Sequence, residues 1–130
     1  MSRELDKRST VRVPRPHESL ACWNESMDLV VNVYQATKSF PHEEMYGLSS
    51  QIRRAAVSIP ANIAEGSARR GEQERRQFFS IARGSLSELE TLLTIACRLG
   101  FLGSSKQVDL LATTGRIGAQ LNGLLRVGAR

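Results

Sequence analysis

Residues 50–66 read SQIRRAAVSIPANIAEG, and this segment says the most about the architecture of the chain. Apolar side chains recur in and just before it at steps of three and four residues, the spacing of one helical face: Leu48, Ile52, Ala56, Ile59 and Ile63. Between Ala55 and Ala64 no residue is charged. A helix that is apolar or small nearly all round packs on more than one side. Because a chain of 130 residues offers few elements to cover it, we expect a second copy of the protein to do so.

The length and composition indicate one all-helical domain. A chain of 130 residues has the usual length of a single domain. The alternation of β-branched or aromatic residues that is typical of strands is nowhere sustained. Residues 1–16 carry mixed charge with a basic excess and two prolines, without an apolar period. We therefore predict a basic, disordered tail over 1–16 and a four-helix bundle over 17–130.

Hydrophobic periodicity predicts four helices with short connections. They run from about Ser19 to Thr37, from Glu43 or Leu48 to Ala68, from Glu72 to Leu99, and from Ser104 or Ser105 to Val127. Pro60 lies inside the second helix, but the apolar steps continue in register across it, so we expect the helix to continue with a kink. The pattern predicts an all-α fold, an antiparallel up-down-up-down four-helix bundle.

The same periodicity predicts which sides of each helix pack, and two apolar stripes on the first helix indicate two packing partners. The first helix has an apolar face of Leu20, Trp23, Met27, Val30, Val31 and Tyr34, and a second stripe of Cys22, Leu29 and Val33. The third helix turns inward Phe78, Ala82, Ser85, Leu86, Leu89, Leu92, Leu93 and Ala96. The fourth turns inward Leu111, Thr114, Gly118, Leu121 and Leu125. Cys22 and Cys97 have no metal-ligand spacing, so we expect two buried, reduced thiols.

The charge leaves two interpretations open. The formal net charge is +5, from 18 Lys plus Arg against 13 Asp plus Glu. Candidate contacts to RNA or DNA are Arg53, Arg54, Arg69, Arg70, Arg75 and Arg76. Glutamates such as Glu72 and Glu74 could instead neutralise them and leave a solvated, ion-paired face. Aromatic residues are not interleaved with these arginines, so recognition of a particular single-stranded RNA sequence is not indicated.

Several residues near the second and third helices are candidates for structural or interface roles. Ser58 and Asn62 lie one helical turn apart and could share a hydrogen bond. We expect Glu65 to form a buried or interfacial ion pair with Arg53, Arg54 or Arg83. Glu88 is a further acid that could pair with one of the arginines. Val57 and Ala61 complete this set, because they lie away from the isoleucine stripe.

We expect no enzymatic activity, catalytic residue, cofactor or metal. His17 and His42 fall in predicted loops, and no nucleophile–base pair or metal-site signature is present. A catalytic role would need a pocket that joins Glu65 or Glu88 to a histidine. The sequence shows no membrane span and no signal-peptide core, so we expect a cytoplasmic protein without a membrane partner.

Residues 48–66 and 78–90 strongly resemble the two signature blocks of the 23S rRNA intervening-sequence four-helix-bundle proteins, and the similarity covers about residues 20–125. The resemblance implies an antiparallel bundle that assembles into a ring, typically a pentamer. Relatives include proteins encoded in segments inserted into bacterial 23S rRNA genes. A similar bundle is the accessory variability determinant of diversity-generating retroelements, which works with a reverse transcriptase and nucleic acid.

Together, these observations predict a non-enzymatic homo-oligomer that acts as a nucleic-acid-associated scaffold with sequence-independent binding of polyanions. The alternative is a scaffold for protein–protein interaction with no role in nucleic-acid binding. The feature that separates the two is whether the arginines are unpaired on one continuous face of the oligomer.

Overall fold

The computed structural model describes residues 13–128, and all regular structure within them is helical. The four long helices are α1 (Ala21–Thr37), α2 (Leu48–Ala68), α3 (Glu72–Arg98) and α4 (Ser104–Gly128). Short 3₁₀ turns at Pro16–Ser19 and His42–Glu44 precede α1 and α2. The predicted all-α class and four helices are therefore confirmed. Most of the predicted tail lies outside the described residues.

The helices pack in chain order, and α1 also contacts α4. Side-chain pairs between α2 and α3 run antiparallel, since Ser58 meets Ser85 while Gly66, further along α2, meets the earlier Phe79. Likewise Gln107, near the start of α4, contacts Thr94 late in α3. This order is the one expected of the predicted up-down-up-down bundle. It places the end of α2 and the start of α3 at one end of the bundle, here called the α2–α3 end; the α1–α2 end lies opposite.

The isoleucine stripe of α2 lies at the centre of the core, as predicted. Ile52, Ala56, Ile59 and Ile63 are all 0% exposed. The helix continues through Pro60, which is itself buried, so the expected continuation is confirmed and the kink stays a prediction. Burying three isoleucines completely stabilises the fold by about 1.5–3 kcal/mol for each side chain.

The two apolar stripes predicted on α1 differ in burial. The buried apolar residues are those of the second stripe: Cys22, Leu29 and Val33. Three residues of the first face are exposed in the single chain, namely Met27 (43%), Val31 (56%) and Tyr34 (40%). Ser26 and Thr37 are buried on the same side of α1 as the second stripe. The helix can bury them because both donate hydrogen bonds to carbonyls of α1 itself. An apolar surface is left on the outside of α1.

Smaller corrections apply to α3 and α4. Phe79 (3% exposed) fills the core, whereas Phe78, predicted to face inward, is half-buried. In α4 the buried residues are Leu110, Thr114, Ile117 and Leu121, whereas Leu111, Gly118 and Leu125 are only partly buried. One residue step rotates a helix position by about 100°, so burying the bulky side chains of Leu110 and Ile117 turns the neighbouring Leu111 and Gly118 aside.

The connections at the α1–α2 end pack on each other. Gly100 follows α3 with a φ of +82°, a left-handed conformation that favours glycine and ends the helix. The next residue, Phe101, packs its ring 5.8 Å from that of Phe40, which is 7% exposed. This contact fixes the α1–α2 connection against the α3–α4 connection.

Candidate nucleic-acid and assembly surfaces

The exposed apolar residues of α1 continue onto α2. Val57 is 43% exposed, and Ala61 is exposed one turn further along the same helix. Arg53, one turn before Val57, lies over the ring of Tyr34, so this side of α2 adjoins the exposed side of α1. We call this surface, formed by Met27, Val31, Tyr34, Val57 and Ala61, the α1–α2 apolar face. Exposed apolar side chains gathered on two neighbouring helices are typical of a protein–protein interface.

Arg53 is held against α1 by three contacts. Its Nε donates to Thr37 Oγ1 at 2.8 Å, and one Nη donates to the Tyr34 carbonyl at 3.4 Å. Its guanidinium carbon lies 4.6 Å from the centroid of the Tyr34 ring. This candidate nucleic-acid contact is thus half-buried and has a structural role between α1 and α2, which the sequence reasoning did not predict.

A polar strip joins α2 to α3. Ser58 and Ser85 share a hydrogen bond of 2.8 Å, and Asn62 Nδ2 donates to Ser58 Oγ at 3.0 Å. The predicted Ser58–Asn62 bond is therefore confirmed. Arg54 and Glu88 line an open cleft of about 300 Å³ beside this strip. Neither of them forms an ion pair with another residue of the described chain.

Glu65 pairs locally. Its Oε2 lies 2.6 Å from an Nη of Arg69, and the two side chains are 53% and 42% exposed. Arg69 also lies over the Phe78 ring, 5.0 Å from its centroid. Within one chain Glu65 is therefore in an exposed pair with Arg69 and not in a buried one, while Arg83 donates to Asn122 at 2.9 Å. A pair formed across an interface between copies stays a prediction.

We call Arg69, Arg70, Arg75 and Arg76, at the α2–α3 end, the arginine cluster. Within residues 13–128 the ion pairs are Arg69–Glu65 and Arg116–Glu25, so Arg70, Arg75 and Arg76 have no carboxylate partner there. The nearby glutamates, Glu72 and Glu74, are exposed and make no direct pair with the cluster. Counted with Glu65, these three acids still leave the cluster only one net positive charge.

No group of three or more His, Cys, Asp or Glu among the described residues could hold a metal ion. Burial raises the pKa of the Cys22 thiol, which keeps it protonated and unreactive. Cys22 is a free, buried cysteine as predicted, whereas Cys97 is only half-buried. None of the helices in the described part of the chain is long and apolar enough to cross a membrane.

The family described as 23S rRNA-intervening sequence protein matches residues 18–123. The chain belongs to this family. A crystal structure of a protein of unknown function from the S23 ribosomal protein family of Bacteroides thetaiotaomicron is similar, with a TM-score of 0.73 and 19% identity. The match covers 81% of this chain and 98% of that one, and at this identity it shows the fold alone. No curated protein matches the chain.

The two segments that resemble the signature blocks of the intervening-sequence proteins are nearly all of α2, residues 48–66, and the central part of α3, residues 78–90. They contact each other through Ser58 and Ser85. The segments contain buried core residues such as Ile59 and Leu86 as well as the exposed residues Val57 and Ala61. Family membership therefore establishes the bundle, while the roles of its exposed residues depend on the surfaces described above.

Sequence reasoning missed a cleft of about 330 Å³ at the α1–α2 end of this family bundle. Its lining residues are Thr37, Lys38, Phe40, Pro41, His42, Met45, Ser49 and Arg53. They come from the end of α1, the following connection and the first turns of α2, so no periodic pattern groups them. The available signal was local: Lys38 and His42 flank the Phe40–Pro41 break.

Proposed function

We propose that this chain is a non-enzymatic scaffold that forms a homo-oligomer and binds RNA or DNA through charge, without reading its sequence. Five subunits are favoured by the family resemblance. The observation that carries the proposal is the arginine cluster, in which Arg70, Arg75 and Arg76 have no carboxylate partner among the described residues. Unpaired guanidinium groups keep their donors available for phosphate oxygens.

The α1–α2 apolar face supports assembly. Val31 and Val57 expose about half of their apolar side chains to water in the single chain, at 56% and 43%. Covering such residues with a second copy would stabilise the oligomer, since each Å² of apolar area removed from water contributes about 25 cal/mol. A second copy is favoured because Val57 and Ala61 belong to a helix that is small or apolar on nearly every side.

Assembly would also strengthen the binding of polyanions. One net positive charge at the cluster of each chain is too little for firm attachment to a phosphate backbone. A ring of five chains, each with a formal charge of +5, would carry about +25. Binding is then weak for each subunit and cumulative over the particle.

The cluster is unsuited to reading bases. The Phe78 ring beside it is covered by Arg69, and the Phe79 ring is in the core at 3% exposure. Single-strand binding proteins stack successive bases on free aromatic faces. Because neither ring is free, binding should depend on phosphate contacts and show no base preference.

The test measures fluorescence anisotropy of a labelled random-sequence RNA between about 50 and 200 mM salt. The variant Arg70→Gln/Arg76→Gln removes two charges from the cluster. Its matched control, Arg98→Gln/Lys106→Gln, removes two charges at the opposite end of the bundle. Each lost phosphate contact should lower the slope of log K against log salt by about 0.7 for a single strand. We expect the cluster variant to flatten this slope and the control to leave it nearly unchanged.

Two results would contradict the proposal. If both variants flatten the slope equally, overall charge and not the cluster accounts for binding. If the intact oligomer binds no RNA at low salt, the protein–protein scaffold is the better account. The cytoplasmic location expected from the sequence stays a prediction.

A further inference from the structure

The cleft at the α1–α2 end gathers positive charge around a confined space. The cations Lys38 and Arg53 line it, together with His42 and the hydroxyl-bearing residues Thr37 and Ser49. No carboxylate is among its lining residues. Its volume of about 330 Å³ falls at the lower end of the range typical of small-molecule sites.

The guanidinium of Arg53 is already oriented there. Its Nε is bound to Thr37 Oγ1, and its plane is supported by the Tyr34 ring. An arginine carries five N–H donors, and the contacts to Thr37 and the Tyr34 carbonyl account for two of them. The remaining donors are available to an anion, and binding would cost little further side-chain entropy because the side chain is held in place.

Ser49 also points to a ligand in this cleft. It is 5% exposed, and its hydroxyl makes no hydrogen bond with any described residue. No side-chain nitrogen or oxygen of the described residues is both fully buried and without a partner, so the Ser49 hydroxyl, which makes no such hydrogen bond, is open to solvent. Because Ser49 lines the cleft, a ligand with acceptor oxygens placed there would satisfy it.

Ser49 also belongs to the first turn of α2, where backbone N–H groups have no partner within the helix. The Leu48 N–H is satisfied by Glu44 Oε1 at 3.2 Å. This carboxylate occupies one donor of the first turn and partly offsets the positive end of the helix, which leaves the other donors of the turn for a ligand. The helix dipole adds to the attraction for an anion at this position.

We propose that this cleft binds a phosphomonoester of small-molecule size. The phosphate group would contact Ser49 and Arg53, with Lys38 supplying additional charge. The organic part would lie against the apolar walls formed by Phe40, Pro41 and Met45. The same chemistry is presented by a free nucleotide and by the 5′-phosphate of an RNA end.

This site is separate from the arginine cluster. The 21 residues of α2 span about 30 Å at 1.5 Å per residue, and the cleft lies at the start of that helix. The cluster begins at the end of the same helix. The proposal therefore holds or fails independently of the binding of polyanions described above.

Isothermal titration calorimetry with adenosine 5′-monophosphate tests the site on the full chain, with adenosine as the ligand that lacks phosphate. We expect saturable binding of the nucleotide at millimolar concentrations or below, and at least roughly tenfold weaker binding of adenosine. Ser49→Ala and Lys38→Gln should each weaken binding of the nucleotide several-fold, and Arg53→Gln roughly tenfold or more. Arg54→Gln is the matched control, since the adjacent Arg54 does not line the cleft.

A second comparison identifies the source of the phosphate. A short RNA with a 5′-phosphate is compared with the same RNA carrying a 5′-hydroxyl, in the Arg70→Gln/Arg76→Gln background to limit binding at the cluster. Preference for the phosphorylated RNA over both the 5′-hydroxyl RNA and the free nucleotide identifies an RNA end, and stronger binding of the free nucleotide identifies a metabolite. The proposal is overturned if adenosine binds as tightly as the nucleotide, or if no phosphomonoester binds. It is also overturned if Ser49→Ala and Lys38→Gln, checked for unchanged helicity, bind the nucleotide as the wild type does.

Discussion

Replacing Gly66 by alanine should destabilise the bundle, although alanine is the better helix former. Gly66 lies buried near the end of α2, against the start of α3. A methyl group at this position would lie 2.7 Å from Phe79 Cε1, 2.9 Å from Phe79 Cδ1 and 3.1 Å from the Arg75 carbonyl oxygen. Carbon atoms in proteins prefer separations of about 3.5–4.0 Å, so both contacts to the ring are too short, and the contact to the carbonyl oxygen is also tighter than usual.

The magnitude follows from two opposing effects. Overpacking of a filled core costs about 1–3 kcal/mol, and the cost should be substantial here because the Phe79 ring is 3% exposed and cannot swing into water. The higher helix propensity of alanine returns up to about 1 kcal/mol. We expect Gly66→Ala to lower the free energy of unfolding by a net value of about 1–2 kcal/mol.

Urea denaturation followed by circular dichroism, at one fixed protein concentration, measures this change. Gly115→Ala in α4 is the matched control, because a methyl group there meets nothing within 4 Å. It should raise the free energy of unfolding by about 0.5–1 kcal/mol. Both variants replace glycine by alanine within a helix. If the free energy of unfolding falls for Gly66→Ala and rises for Gly115→Ala, the difference comes from the contact between α2 and α3.

A double variant tests the cause. In a Phe79→Leu background the ring atoms that oppose the new methyl group are gone, and Gly66→Ala should cost about 1 kcal/mol less than in the wild type. If Gly66→Ala stabilises the protein as much as Gly115→Ala does, the close packing of α2 on α3 is refuted. An unchanged cost in the Phe79→Leu background would refute the role assigned to the ring.

Two further predictions concern the α1–α2 apolar face and the contact between α1 and α4. Val57→Asp should dissociate the oligomer while preserving helicity, whereas Val108→Asp, on the exposed side of α4, should leave the oligomer intact. Light scattering at micromolar concentration measures the mass of both variants. A monomeric wild type would contradict the assembly proposal. Hydrogen bonds from Arg116 and Gln120 lower the pKa of Glu25. The ionised carboxylate therefore stabilises the fold at pH values above its ordinary pKa of about 4.3, and this stabilisation is lost as the pH falls through the lowered pKa. Glu25→Gln should therefore reduce the loss of stability in acid and cost at most about 1 kcal/mol at neutral pH, with Asp28→Asn as the control. If the dependence of stability on acid is unchanged in Glu25→Gln, the hydrogen bonds of Glu25 do not contribute to it.

The candidate sites were predictable only where they depend on nearby residues. The Ser58–Asn62 bond follows from a spacing of four residues on one helix. The Glu65–Arg69 pair has the same spacing, yet more distant arginines were expected, because the uncharged stretch before Glu65 suggested an interface. The contacts of Arg53 with Thr37, and of Ser58 with Ser85, join different helices and leave no mark in local periodicity.

The sequence by itself determined the four helices and most of their ends, because apolar spacing, proline and glycine act on the backbone locally. It also determined the central stripe of α2, which has a single strongly apolar face. Only the tertiary structure decided which stripe of α1 is buried. Periodicity gives the angles between side chains on one helix, whereas the rotation of that helix depends on how well each face fits its neighbours. Cys22, Leu29 and Val33 pack inward, so Met27, Val31 and Tyr34 are left exposed on the surface proposed for assembly.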